Sequence, residues 1–419
     1  MHIGLITIGD ELLLGKTLNS NAFDLGAWLG ELGHALRFSL SIGDRREIIA
    51  ETLRDCLSTQ GALPRCDWIF LTGGLGPTPD DLTRDAVAEY LRVPLEFNPE
   101  AAAFLAERLS VTVDKISEGQ RPQIKVPRGA KPLRNPAGTA CGFVFEANGV
   151  RAFAFPGVPY EFRAMFDLHC RPELQRRDAV LLRRKAVTFG LAESKQREHL
   201  RDFVPPEPFR FSSLPAESGV VISLEALVPI TETVLQTGIL DSAWNDLLSR
   251  LPPDTVVDSA GATLSETVFR LLRERKATVS VAESCTGGAL GYLLTEIPGS
   301  SEVFRQGFLT YANEAKTALL GVPADLLQAH GAVSEPVVLS MAQGCLAASH
   351  ADYSVAISGI AGPDGGSPEK PVGLVYIAVA SRNWVEAKRF NFRGDRKSIR
   401  WLSAYSALNM LRLLILKDL

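Results

Sequence analysis

The chain has 419 residues, enough for two or three domains that each bury a core. Apolar residues make up 46% and charged residues 22%, and the formal net charge of −4 leaves no basic field to mark a nucleic-acid surface. No run reaches the roughly 18 uncharged apolar residues of a membrane helix, and Asp10 and Glu11 interrupt the first apolar stretch too early for a secretory signal.

Residues 1 to about 167 alternate strand and helix signals. His2–Ile8 is a short apolar strand. Asn19 stands where it can cap a helix carrying Leu25, Trp28, Leu29 and Leu32 at helical spacing. Ala35–Ile42 reads as a strand, and Asp44 as the cap of a second helix ending near Leu57. Trp68–Leu71 is a buried strand that runs into Thr72-Gly73-Gly74. This rhythm predicts a parallel sheet covered on both faces. Residues 168–251 differ: strand-like Lys185–Thr188 and Gly219–Leu227 flank a charged helix around Glu193–Phe203, which suggests a small α+β domain, and Pro252-Pro253-Asp254 reads as a linker.

Residues 255–419 are again α/β. Thr263 and Glu266 fit a capping box ahead of Val268, Leu271 and Leu272. Strands are expected at Thr278–Ala282, Phe308–Ala312, Tyr353–Ser358, Leu374–Ala380 and Trp384–Phe392. Helices are expected at Ser334–Ala348 and from about Lys397. The six cysteines (56, 66, 141, 170, 285 and 345) never fall at CxxC spacing, as expected of buried, reduced thiols in the cytoplasm.

The stretch Glu283-Ser284-Cys285-Thr286-Gly287-Gly288 falls where a strand enters a helix. Free amides there can stabilise an oxyanion, and the glycines allow close approach; a serine in that place is equally a helix cap. Serine needs a base. Neither His330 nor His350 sits in a recognisable triad context, but Tyr311 and Lys316 stand around the next strand end, and a partly desolvated lysine can serve. Gly359, Gly362, Gly365 and Gly366 follow a further strand and could cradle a phosphate, with Arg393, Arg396 and Arg400 nearby to pair with an anion. In the N-terminal half, Asp10 and Glu11 follow the first strand, and Thr72, Gly73, Gly74, Gly76, Asp80 and Asp81 follow another. Parallel strands bring both sets to one edge, where the glycines suit a phosphate. The acids could hold a divalent ion, or Asp80 and Asp81 could simply cap a helix.

The blocks AESCTGG, GFLTYANEAK, GAVSEPV, SGIAGPDGGSPEKPVG and FRGDR occur in order over residues 260–419. They resemble the C-terminal domain of the CinA family and its stand-alone relatives, the PncC-type nicotinamide-nucleotide amidases. The resemblance implies an α/β domain that hydrolyses the carboxamide of nicotinamide mononucleotide (NMN) to nicotinate mononucleotide and ammonia. Ser284 would be nucleophile, Lys316 base and Tyr311 catalytic partner. Thr286, Gly287, Gly288, Gly359, Gly362, Gly365, Gly366, Arg396 and Arg400 would face substrate, and no cofactor would be needed. The glycine-rich and acidic motifs of residues 1–167, with Asn19-Ser20-Asn21, Asn135-Pro136-Ala137-Gly138-Thr139-Ala140 and Phe155-Pro156-Gly157, are similar to the CinA N-terminal domain, itself like molybdopterin-binding proteins of the MoaB/MogA type.

That likeness implies ADP-ribose pyrophosphatase activity with a divalent metal (Mg, Mn or Co). Asp10, Glu11, Asp80 and Asp81 are its candidate ligands, and Asn19, Thr72, Gly73, Gly74 and Gly76 its substrate contacts; a pterin-binding module without hydrolysis is the alternative. Cys141 departs from the family, which has proline after Gly-Thr-Ala. Residues 168–251 resemble a KH-like module, but without the Gly-x-x-Gly that clamps a nucleic-acid backbone. The whole is expected to be a homodimer working on small nucleotides, with neither nucleic acid nor membrane as partner. A scaffold in competence or recombination is a third reading.

Overall fold

The computed structural model describes residues 1–176, 178–216 and 218–418. Tertiary contacts divide the chain into two units, 1–181 and 182–419.

The first unit holds β1 (Ile3–Ile8), β2 (Leu36–Ile42), β3 (Trp68–Thr72), β4 (Leu95–Phe97), β5 (Lys125–Pro127), β6 (Lys131–Leu133), β7 (Gly142–Ala147) and β8 (Val150–Phe155). Six of them form one sheet in the order β2-β1-β3-β8-β7-β6, while β4 and β5 pair separately. The first four run parallel, and β7 and β6 are antiparallel. Every residue of β1 and β3 is buried, which explains their uninterrupted apolar character. Alternate side chains serve opposite faces: Ile6, Ile8, Ile69 and Leu71 enter one core, and Ile3, Leu5, Trp68 and Phe70 the other.

Helix Ser20–Glu31 starts as its sequence signals, with Asn19 Oδ1 accepting from the Ala22 amide. Two other expected caps are corrected. Helix Arg46–Leu57 begins without any side-chain cap, so Asp44 does not cap it. Helix Thr83–Leu91 has Leu82 at its N-cap and again no side-chain cap, so neither Asp80 nor Asp81 serves there. The carboxylate of Asp81 is spent on the preceding glycine turn, as described below.

The second unit opens with β9 (Ala179–Thr188), β10 (Arg210–Ala216), β11 (Gly219–Pro229) and β12 (Val256–Asp258), in the order β10-β11-β9-β12. The charged helix is shorter than its pattern suggests, Glu193–His199. A long helix, Thr233–Ser249, escapes sequence reading because its apolar residues do not segregate. Leu240, Trp244 and Leu247 are buried while Val234 and Leu235 face solvent. Residues 252–254 are no free linker, since the buried guanidinium of Arg412 donates to the Asp254 and Val256 carbonyls.

Beyond them lie β13 (Val279–Glu283), β14 (Phe304–Leu309), β15 (Tyr353–Gly359), β16 (Leu374–Ser381) and β17 (Val385–Asn391), ordered β14-β13-β15-β16-β17. The first three are parallel and the last two antiparallel. β14 starts four residues earlier than expected, and residues 310–312 turn into helix Asn313–Leu320 instead of extending the strand. The capping box is present in full. Helices Leu264–Glu274, Ala289–Thr295 and Arg396–Lys417 cover one face, and Asn313–Leu320, Ala324–His330 and Glu335–Ser349 the other. From β13 the chain goes to β14 on one side and then returns to β15 on the other. That is a topological switch point, where an α/β sheet opens a crevice at its carboxyl edge.

Candidate active site

Ser284 follows β13 at this switch point. Its amide donates to the Ile357 carbonyl of β15 (3.1 Å), and its own carbonyl accepts from the Gly287 amide (3.1 Å). The turn then passes through Gly287 at φ +60 and Gly288 at φ +96, a left-handed pair that side chains disfavour. Ser284 does not cap helix Ala289–Thr295. That task falls to Glu283, only 1% exposed, whose carboxylate accepts from the amides of Gly288 (3.0 Å), Leu290 (3.1 Å) and Gly291 (2.8 Å). Sequence reading passed over Glu283. An acidic residue just ahead of a Gly-Gly helix start was the available signal.

The Ser284 hydroxyl is left facing Lys316, in the first turn of helix Asn313–Leu320. Lys316 Nζ lies 3.4 Å from Ser284 Oγ, 2.8 Å from the Thr310 carbonyl and 3.3 Å from that of Tyr311. The lysine is 1% exposed, and no carboxylate pairs with it among the described residues. Burial pulls its pKa below the usual 10.5, against weaker opposition from Cys285 and Glu314. A neutral amine has two hydrogens and one lone pair. Here two carbonyls can take the hydrogens, and the serine hydroxyl can donate to the lone pair.

The remaining predicted residues surround this pair. The exposed Tyr311 hydroxyl accepts from Arg396 (3.3 Å), and Arg396 also donates to the Gly362 carbonyl (2.6 Å). Arg400 donates twice to the Thr286 carbonyl (3.1 and 2.7 Å) and packs over Gly287. Both arginines lie in the opening turns of helix Arg396–Lys417, which Asp395 caps. Thr286 Oγ1 is buried without a partner among the described residues. Gly359 ends β15, where a Cβ would strike Val375; Gly362 is buried; Gly365 and Gly366 lie on an exposed loop. The buried Ser358, which sequence reading gave no role, donates to the Ala332 carbonyl (2.7 Å).

In the first unit, a cleft of about 520 Å³ lies at the carboxyl edge of β1 and β3. It is lined by Gly73, Gly74 and Gly76 and by five carboxylates, Glu11, Asp44, Asp80, Asp81 and Glu161, with no lysine, arginine or histidine among its described lining residues. Burial raises the Asp44 pKa, the Asp10 amide opposes that, and the charges of Asp10, Glu11 and Asp80 add to it. Asp44 Oδ1 is buried without a partner among the described residues. Sequence reading offered Asp44 only as a cap.

Asp81 is turned into the loop, accepting from the amides of Gly76 (2.7 Å) and Thr78 (2.9 Å), while the exposed Asp80 is held below the ordinary carboxylate range chiefly by Thr78. Asn19 and Thr72 are absent from the cleft lining. Asn19 ties Thr7 to Ser41, and Thr72 bridges Asn21 to the Pro156 carbonyl. Beneath the glycine turn, buried Arg84 donates to the carbonyls of Leu75, Gly76 and Cys141, and burial brings its pKa down to about 10. Among the described residues no three histidine, cysteine or acidic side chains converge closely enough to form a metal site unaided. No described helix is long and apolar enough to cross a membrane.

Residues 261–415 match the family model described as "CinA C-terminal domain", and residues 4–176 the one described as "Probable molybdopterin binding domain". The chain is 40% identical over 422 residues to a CinA-like protein of Gloeothece citriformis, covering 98% of each chain. It is 38% identical over 419 residues to a CinA-like protein of Geotalea daltonii, again covering 98% of each. Among solved structures, the competence/damage inducible protein CihA of Agrobacterium tumefaciens is 45% identical, with 36% of this chain and 93% of that one covered and a TM-score of 0.36. With that identity along nearly its whole length, the chain belongs to the CinA family.

Proposed function

We propose that the C-terminal site hydrolyses the carboxamide of NMN by a serine–lysine mechanism. The observation that carries this reading is the buried amine of Lys316, 3.4 Å from Ser284 Oγ and paired with no carboxylate among the described residues. Ser284 would attack the carboxamide carbon as Lys316 takes its proton. The charge that develops on the carbonyl oxygen calls for amide donors, and Thr286 N has no acceptor among the described residues. Lys316 would then return the proton to the departing ammonia, with Tyr311 at the mouth of the site, and water would cleave the acyl-enzyme by the reverse steps. Arg396, joined to both Tyr311 and Gly362, would meet the substrate phosphate. The test is ammonia release with NMN and with free nicotinamide. Turnover of NMN alone supports the reading, and release of ammonia from neither defeats it.

For the N-terminal site we propose cleavage of ADP-ribose to AMP and ribose 5-phosphate with a divalent cation such as Mg, Mn or Co. A pyrophosphate cannot enter a cleft with five carboxylates and no cationic side chain among its described lining residues without a counter-charge. The oxygen donors fit a hard cation, and the unpartnered Asp44 Oδ1 is such a donor. Since no three of the described acids converge closely enough to hold an ion unaided, Asp44, Glu11 and Asp80 would hold it only together with the pyrophosphate's own oxygens, with Asp10 alongside and Asp81 fixing the turn. When bound, it would polarise phosphorus and offset the developing charge. A second reading, pterin binding without hydrolysis, draws on the match of residues 4–176 to the molybdopterin-binding model. Titration with ADP-ribose and with a molybdopterin precursor separates the two.

A further inference from the structure

Behind the Ser284 turn lies a chain of hydrogen bonds that the chemistry above does not use. Two of the three nitrogens of Arg400, Nε and Nη2, donate to one oxygen, the Thr286 carbonyl (3.1 and 2.7 Å). The N–H of that same peptide group belongs to Gly287 and donates to the Ser284 carbonyl (3.1 Å). The peptide group of Ser284 ends in turn in the Cys285 N–H, which donates to no oxygen among the described residues. Guanidinium, two peptide groups and a free N–H thus stand in series, each dipole pointing the same way. Hydrogen bonds in series polarise one another in a low-dielectric interior, so a cation at one end strengthens the donor at the other.

The turn is shaped around this chain. Gly287 has φ +60, and a Cβ on it would stand 3.3 Å from Arg400 Nη2, so the bare backbone lets the guanidinium sit close over the peptide it bonds. Cys285 is the residue after the nucleophile. Where a nucleophilic serine sits on a strand-to-helix turn, the N–H of the next residue lies beside the oxygen of any carbonyl carbon that the serine attacks. We propose that Arg400 is a positioning residue for the oxyanion. It aims and polarises the Cys285 N–H through the peptide groups of Thr286–Gly287 and Ser284–Cys285, and it does not hold the substrate phosphate. This role rests on the serine–lysine reading of Ser284, but not on which carboxamide is the substrate. It divides the two arginines that open helix Arg396–Lys417: Arg396 serves the substrate, and Arg400 the backbone that meets the developing charge.

The test compares full-length wild type with Arg400→Lys, which keeps the charge, and Arg400→Gln, which keeps a donor without it. Two rates are read. One is ammonia release from NMN. The other is capture of Ser284 by an uncharged alkyl fluorophosphonate: Oγ bonds phosphorus, fluoride leaves, the serine proton passes to Lys316, and the phosphoryl oxygen takes the oxyanion's place. The final extent of labelling counts competent sites, so a partly unfolded variant is still compared site for site. Arg400→Gln should lower both kcat and the labelling rate about tenfold with KM changed less than about twofold, and Arg400→Lys should recover most of the loss. A raised KM with an unchanged labelling rate would make Arg400 a phosphate contact and overturn the proposal. Equal losses in the two variants would make it a packing residue and overturn it as well, as would no loss in either. If wild type labels at Ser284 but releases no ammonia from NMN, the NMN reading fails while the labelling rates still decide the role of Arg400. A wild-type Ser284 that resists the reagent overturns both.

Discussion

In the serine–lysine reading Lys316 must serve as a base in spite of an ordinary pKa near 10.5, and burial supplies the means: desolvation lowers the pKa, and the charges of Cys285 and Glu314 oppose it only weakly. Two consequences follow for pH. kcat/KM for NMN should rise with pH as Lys316 loses its proton and level off below 10.5, which a pH–rate profile reads directly. The folded pKa lies below the unfolded one, so burying the charged form costs stability at low pH. That cost is relieved as pH climbs from the folded pKa toward 10.5. Wild type should therefore gain stability relative to Lys316→Met over that window in denaturant titrations at fixed pH values. Ser284→Ala and Lys316→Met should each lower ammonia release by roughly 10³-fold or more, and the double variant should be little worse, because the pair acts as a unit. Multiplying losses would break up the pair.

At the scale of elements, Glu283 anchors the nucleophile turn through three amides at the start of helix Ala289–Thr295. Glu283→Gln keeps the shape but replaces one accepting oxygen with a donor that faces backbone N–H groups. It should cost about 1–3 kcal/mol of stability by thermal unfolding and lower kcat more than it raises KM. Helix Glu335–Ser349 makes a different demand. A Cβ on Gly344 would stand 1.9 Å from the Leu320 carbonyl, so Gly344→Ala should lower the melting temperature by pushing two helices apart. These elements also show what was legible in the sequence. Strands buried on both faces, such as β1 and β3, and the Thr263–Glu266 box announce themselves through composition and spacing. The helix Thr233–Ser249 does not, because its apolar residues are scattered around the axis. Ser284, Tyr311 and Lys316 were legible from motif and order. Glu283, Asp44 and Arg84 were not, because their roles depend on which backbone groups the fold leaves unpaired.

At the scale of the whole chain, the two proposed chemistries draw on opposite electrostatics. The C-terminal site is a buried amine supplied with carbonyl acceptors, and the N-terminal cleft is a set of carboxylates without a cation. Chelation should therefore stop ADP-ribose cleavage, and Asp44→Asn should shift its cation requirement upward, read by titrating Mg or Mn into chelator-treated protein. The amidase should ignore both treatments. The most direct measurement follows NMN-dependent ammonia release and ADP-ribose cleavage side by side in the full-length protein, for wild type and Ser284→Ala, with and without chelator. The account predicts that Ser284→Ala abolishes ammonia release and spares ADP-ribose cleavage, while chelator does the reverse. Ammonia release that persists in Ser284→Ala, or that chelator abolishes in wild type, would contradict a metal-independent serine–lysine amidase.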